Sequence, residues 1–162
     1  MRILLVEDDY LQADWLQPQF EREYPGVAVD CISTELEFRE RLDEIVEHPP
    51  DVVIIDVMIR WTDPGPNMQR PPEKMAYDGP YRAGLRCQEL LAERLPEIPV
   101  IFYTVLEQID LDDELSTMRE NVVYLRKDAE TESFFQQLRQ HLRGQVSVIG
   151  GQSRQGRTRD CQ

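Results

Sequence analysis

The chain carries short, almost unbroken apolar runs, each ending at a polar residue. Residues 3–6 run into Glu7-Asp8-Asp9, DVVIID ends at Asp56, PVIFYT ends at Thr104, and residues 122–125 lead to Lys127. Runs this short and uniformly apolar fit strands buried on both faces, not the half-exposed strands of a typical antiparallel sheet. Residues 27–32 alternate and are β-branched, which reads as a further strand. Stretches with helical spacing separate the runs. Residues 9–24 set Leu11, Trp15 and Phe20 near one face, and Pro18 inside them is expected to kink or shorten the helix. Residues 34–46 read as one helix with Leu36, Phe38, Leu42, Ile45 and Val46 as its apolar positions, and residues 81–95 as another with Leu85, Leu90, Leu91 and Leu95. Residues 107–119 are acidic and weakly periodic, so a short or irregular helix is expected there. Asp128 can cap a last helix that reaches about residue 142 and carries Phe135, Leu138 and Leu142 at i, i+3 and i+7.

Five buried strands with helical crossovers predict an α/β fold with a parallel sheet covered on both faces. Sheets of this kind bind ligands outside the carboxyl ends of their strands. The polar residues that end the strands, Glu7-Asp8, Asp56, Thr104 and Lys127, are therefore expected at one rim.

Charge narrows the function. The formal net charge is −13, and the residues before position 152 carry about −15, because Arg154, Arg157 and Arg159 face only Asp160 in the tail. Duplex binding rests on Lys and Arg neutralising phosphates, so no nucleic-acid partner is expected. An anionic membrane surface is disfavoured for the same reason, and no stretch approaches a transmembrane span. The odd set of Cys31, Cys87 and Cys161 has no C-x-x-C pair, which suits a reduced, cytoplasmic setting with Cys31 and Cys87 as small core hydrophobes. His48 and His141 are most simply surface residues. Two segments are atypical. Residues 57–83 hold five of the 11 prolines together with Trp61, Tyr77 and Tyr81, and a link this long is often functional. Residues 144–162 lack apolar periodicity and read as a flexible tail, which leaves 1–143 as the domain.

Three carboxylates, a hydroxyl and an ammonium gathered at one rim suit phosphoryl transfer. Crowded carboxylates repel one another, and Mg²⁺, a hard cation that takes one or two carboxylates, relieves the repulsion. A neighbouring carboxylate can attack phosphorus to give an aspartyl phosphate, while hydrogen-bond donors and a cation stabilise the charge on the transferred group. In ILLVEDD, DVVIID, PVIFYT and YLRKDA, in that order, the chain resembles the receiver domains of two-component response regulators over about residues 1–143. The resemblance implies a flavodoxin-like (βα)5 doubly wound parallel sheet of strand order 2-1-3-4-5. It implies Asp56 as phosphoacceptor, Glu7 and Asp8 as the acidic pair, and Asp8, Asp56 and the Met58 carbonyl as Mg²⁺ ligands. Thr104 and Lys127 match the switch hydroxyl and the lysine, and Tyr124 the switch aromatic. Tyr124 also fits a half-buried strand aromatic with no further role. The implied partners are a sensor histidine kinase or a phosphotransfer protein as phosphohistidine donor, and an unknown output protein. The chain would catalyse only its own phosphorylation and dephosphorylation. The tail after Arg143 is too short for an output domain, so output is expected through protein contacts.

The chain departs from the receiver pattern in four places. The 57–83 link is long, with Gly84-Leu85 matching the glycine that normally opens the third helix. Val105 stands where Ala or Gly is usual and is expected to crowd the phosphoryl group. Asp128 follows Lys127 where Pro is commonest, so a trans peptide is expected there. The fourth helix region is acidic and poorly patterned. Two rival readings are a receiver-like adaptor that binds partners without phosphorylation and a phosphohydrolase of the haloacid-dehalogenase type. The complete set of Glu7, Asp8, Asp56, Thr104 and Lys127 argues against the first. The second places D-x-D at the first strand end, where this chain has EDD.

Overall fold

The computed structural model describes residues 1–66, 68–78, 82–127 and 131–150, with residues 77–78 and 143–150 described by backbone alone. Five strands form one sheet of order β2-β1-β3-β4-β5, and every neighbouring pair is parallel. They are β1 (Arg2–Val6), β2 (Ala28–Ile32), β3 (Val52–Ile55), β4 (Val100–Thr104) and β5 (Val122–Arg126). The central strand β3 is VVII, and all four of its residues are fully buried. The alternation of a strand then divides the core in two. Leu4, Val6, Val53 and Ile55 face one cluster with Phe38, Ile45, Leu91 and Phe102. Ile3, Leu5, Val52 and Ile54 face the other with Leu16, Phe20, Phe134 and Phe135. A doubly wound sheet with both faces covered, expected from the apolar runs, is what the chain adopts.

Helix α1 (Tyr10–Glu23) is capped by Asp9, whose Oδ1 accepts from the N–H groups of Leu11 and Gln12. Pro18 lies inside it without ending it. Its inward face is Ala13, Leu16 and Phe20; Leu11 and Trp15, expected on that face, are exposed. The single helix expected over 34–46 is two, α2 (Glu35–Glu40) and α3 (Leu42–Glu47). Arg41 sits between them at φ −95°, ψ 3°, with its guanidinium drawn to Asp30 on β2 at 2.7 Å. The 57–83 link is not featureless, since Glu73–Asp78 forms a short helix, α4. Helix α5 (Ala83–Arg94) follows it. Residues 108–115 form a short 3-10 helix (Gln108–Leu111) and one turn of α-helix, α6 (Asp112–Leu115), as the weak pattern suggested.

The last helix, α7 (Thr131–Gly150), runs past the expected end near residue 142 into the segment read as tail. Phe134, Phe135 and Leu138 are its buried positions. Asp128, the Lys127–Asp128 peptide, Tyr81 and residues 151–162 lie outside the described residues, as does the side chain of Tyr77. Cys87 is buried and Cys31 half-buried, both as free thiols. His141 is a correction: it is half-buried, with Nε2 3.0 Å from the Asn121 carbonyl oxygen, and burial holds its pKa below the usual value. Among the described residues no helix is long and apolar enough to cross a membrane.

Candidate functional site

Parallel strands deliver their carboxyl-terminal residues to one edge, and here that edge is acidic. The Glu7 N–H donates to the Ile32 carbonyl and the Asp56 N–H to the Val6 carbonyl, so Glu7 and Asp56 continue the ladder one step beyond β1 and β3. The Lys127 N–H donates to the Thr104 carbonyl, which places the lysine at the end of β5 beside β4. Lys127 Nζ lies 2.6 Å from Asp56 Oδ2 and 2.7 Å from Glu7 Oε2. Oxygens of Glu7, Asp8 and Asp56 lie within 4.8 Å of one another. Glu7, Asp56 and Thr104 are buried. The fold thus brings together five residues separated by up to 120 positions in sequence.

Each carboxylate has a different environment. Asp56 Oδ1 accepts from the Met58 N–H at 3.0 Å, so the Met58 backbone lies at the rim. Glu7 also accepts, through Oε1, from the Asp9 N–H. Burial pushes the Glu7 carboxyl up to about 7; Lys127 pulls against this, and the Asp56 charge adds to it. Burial alone would lower the Lys127 pKa, but the charges of Asp56 and Glu7 outweigh it and hold the ammonium above its ordinary value. Asp8 is more open, and Arg60 bonds it through both backbone and side chain.

The donor set suits a hard divalent cation. It is all oxygen, with three carboxylates close enough to share one ion, and the only histidine described nearby in sequence, His48, is on another part of the fold. Asp8, Asp56 and Glu7 are the residues that could hold Mg²⁺.

Thr104 and Tyr124 meet at one residue, Leu106, on the two peptide groups that flank its Cα. The Leu106 N–H donates to Thr104 Oγ1 at a long 3.5 Å, and the Tyr124 hydroxyl donates to the Leu106 carbonyl at 2.5 Å. Thr104 is fully buried, while Val105 beside it is 59% exposed. Gly84 has a packing reason of its own. A Cβ there would stand 2.1 Å from the Asp56 carbonyl oxygen and 2.7 Å from the Val57 Cα. Only glycine lets α5 approach the strand end that carries Asp56.

Sequence reasoning missed two residues near the rim. Arg60 had no signal beyond being a base close after Asp56. Glu35 looked like an ordinary acid in a first helical turn, yet it is fully buried and held by Arg39 at 2.8 Å and Arg86 at 2.6 Å.

No family model matches the chain, and no curated protein matches it. Its fold is similar to solved receiver structures. The N-terminal domain of a response regulator/sensory box/GGDEF 3-domain protein from Carboxydothermus hydrogenoformans aligns with a TM-score of 0.65 at 18% identity, covering 92% of this chain and 99% of that one. A CheY-like response regulator receiver domain protein from Methanospirillum hungatei gives 0.64 at 19% identity, covering 91% and 97%. The receiver domain of a LuxO-type repressor protein from Vibrio parahaemolyticus gives 0.61 at 20% identity, covering 94% and 98%. With the order 2-1-3-4-5 and the acidic rim in place, the chain has the fold of response-regulator receiver domains.

Proposed function

We propose that the chain is a phosphoacceptor receiver that takes a phosphoryl group onto Asp56 and changes its protein contacts in response. The observation that carries this is the ion pair of Lys127 Nζ with Asp56 Oδ2 at 2.6 Å, inside a cluster with Glu7 and Asp8. An aspartate oxygen attacks the phosphorus of a phosphohistidine, the O–P bond forms, the P–N bond breaks, and the imidazole nitrogen leaves with its electron pair. A sensor histidine kinase or a phosphotransfer protein would present that donor. A Mg²⁺ ion held by Asp8 and Asp56, with the Met58 carbonyl as a further ligand and Glu7 in support, would offset the carboxylate and phosphoryl charge.

The remaining steps belong to this chain's own side chains. Lys127 holds one Asp56 oxygen in the unmodified site and can follow the charge onto the phosphoryl oxygens. The Thr104 O–H has no acceptor among the described residues, so its hydrogen is available to a phosphoryl oxygen. Turning Thr104 toward that oxygen would loosen its bond to the Leu106 N–H, and the Leu106 carbonyl is what Tyr124 holds. Leu106, held at its N–H by one residue and at its carbonyl by the other, would then be a route from Asp56 to the surface beside β5 for an output protein. The reading is a signalling switch, not an enzyme acting on a separate substrate.

The test is intact-mass measurement after incubation with acetyl phosphate and Mg²⁺. The expected result is a labile gain of one phosphate that is absent in Asp56→Asn. No gain in the wild type, with the fold intact, would instead favour an adaptor that works without phosphorylation.

A further inference from the structure

The rim contains a second cation besides Lys127. Arg60 Nε lies 3.0 Å from Asp8 Oδ2, the Arg60 N–H bonds the same oxygen at 3.1 Å, and an Arg60 terminal nitrogen bonds the Asp8 carbonyl at 3.0 Å. Asp8 is the most open of the three clustered carboxylates, and so the one a metal from solvent would meet first. In this state Arg60 holds the oxygen such a metal would use.

The arginine has somewhere else to go. Its Nη1 is already 3.8 Å from Asp63 Oδ1, and Asp63 is largely exposed. Its backbone is pinned, because the Arg60 carbonyl accepts from the Glu35 N–H at 3.0 Å and the Trp61 carbonyl from the Leu36 N–H at 2.9 Å. Arg39 lies over the Trp61 ring at 5.9 Å. The guanidinium can therefore swing without moving the chain that carries it. Both carboxylates lie within its reach, one in the site and one on the link.

We propose that Arg60 is a built-in competitor at the divalent-cation site, and that cation binding transfers its guanidinium from Asp8 to Asp63. This rests on the reading of the rim as a cation site. A tethered cation keeps the crowded carboxylates from repelling one another in the metal-free protein, and it leaves when a dication arrives. Metal occupancy is then reported directly to the first turn of the 57–83 link.

The test is calorimetric titration with MgCl₂ of the wild type, Arg60→Gln, Asp63→Asn and the double variant, with the Arg60 Nε–H proton resonance as a second readout. Removing Arg60 should tighten Mg²⁺ binding roughly fivefold, the scale of a part-exposed ion pair. Removing Asp63 should weaken it about twofold, by leaving Arg60 on Asp8. The two effects should couple, so that Asp63→Asn changes nothing once Arg60 is gone. In the wild type the Arg60 Nε–H resonance should shift as Mg²⁺ saturates. Unchanged or weaker binding in Arg60→Gln, or strictly additive effects of the two changes, would overturn the proposal. Asp8→Asn in the Arg60→Gln background separates the two levels of the reading. If that change abolishes Mg²⁺ binding while Arg60→Gln leaves affinity at the wild-type value, the cation site stands and only the role of Arg60 falls. If Mg²⁺ binding ignores Asp8 altogether, the cation site fails and Arg60 with it.

Discussion

Asp8 and Asp9 are neighbours with different work. Asp9 caps α1 through its Oδ1, whereas Asp8 faces Glu7 and Asp56. Asp9→Ala should therefore cost about 1 kcal/mol of stability and leave Mg²⁺ affinity nearly unchanged. Asp8→Ala should weaken Mg²⁺ binding at least about tenfold with little effect on the thermal midpoint. Parallel Mg²⁺ titrations and melting curves check this, and equal losses of affinity would mean that the acidic pair is misplaced. His141 gives a pH prediction. Burial lowers its pKa, so between the folded and unfolded values the unfolded chain binds the extra proton. Its contribution is fully present above the unfolded value of about 6.5 and is lost as pH falls through the window below it. The urea midpoint of the wild type should fall on acidification through that window, and that part of the fall should be missing in His141→Gln. The residues of the rim were legible in the sequence because carboxylates, a hydroxyl and a lysine at strand ends have few other joint meanings. Arg60 and Glu35 were not. Their roles depend on partners brought from 52 and 51 positions away, Asp8 and Arg86, and no local pattern encodes such a meeting.

At the scale of elements, the strands were read with end points off by a residue, because a buried apolar run admits little else. Helices were harder. The face of α1 was misjudged since Leu11 and Trp15 are apolar yet exposed, and apolarity alone does not force burial. The break between α2 and α3 arises at Arg41, which a helix-forming residue type gave no reason to expect. Two contacts between elements can be tested. Gly84→Ala drives a methyl into the Asp56 carbonyl, so it should destabilise the fold by about 2–3 kcal/mol and slow phosphorylation of Asp56 by displacing it. Urea unfolding together with the acetyl phosphate reaction measures both. Glu35 joins α2 to α5 through Arg86, while Arg39, on α2 itself, holds its other flank. Glu35→Gln leaves both guanidinium groups short of a buried counter-charge and should cost about 3 kcal/mol. A loss within error of zero in equilibrium unfolding would show that the buried cluster is not what joins the two helices.

For the whole molecule, a covered parallel sheet and the placing of the rim were readable from five apolar runs with helical spacers, whereas the strand order came from the resemblance to receiver domains. The link was readable only in part. Its length and its prolines marked it as unusual, but its anchorage on α2 through the Arg60 and Trp61 carbonyls is a tertiary contact. The link is thus joined within its first five residues both to the carboxylates, through Arg60 and Asp8, and to α2. In the proposed function this arrangement makes Asp56, and no other residue, the acceptor of a phosphoryl group. The most direct measurement is reductive trapping. Treat the chain with acetyl phosphate in the presence and absence of Mg²⁺, reduce the acyl phosphate with borohydride, and locate the resulting homoserine by peptide sequencing in a mass spectrometer. Homoserine is expected at position 56 alone, and only with Mg²⁺ present. Homoserine at position 8 or 9, or equal yield without the metal, would contradict the proposed function.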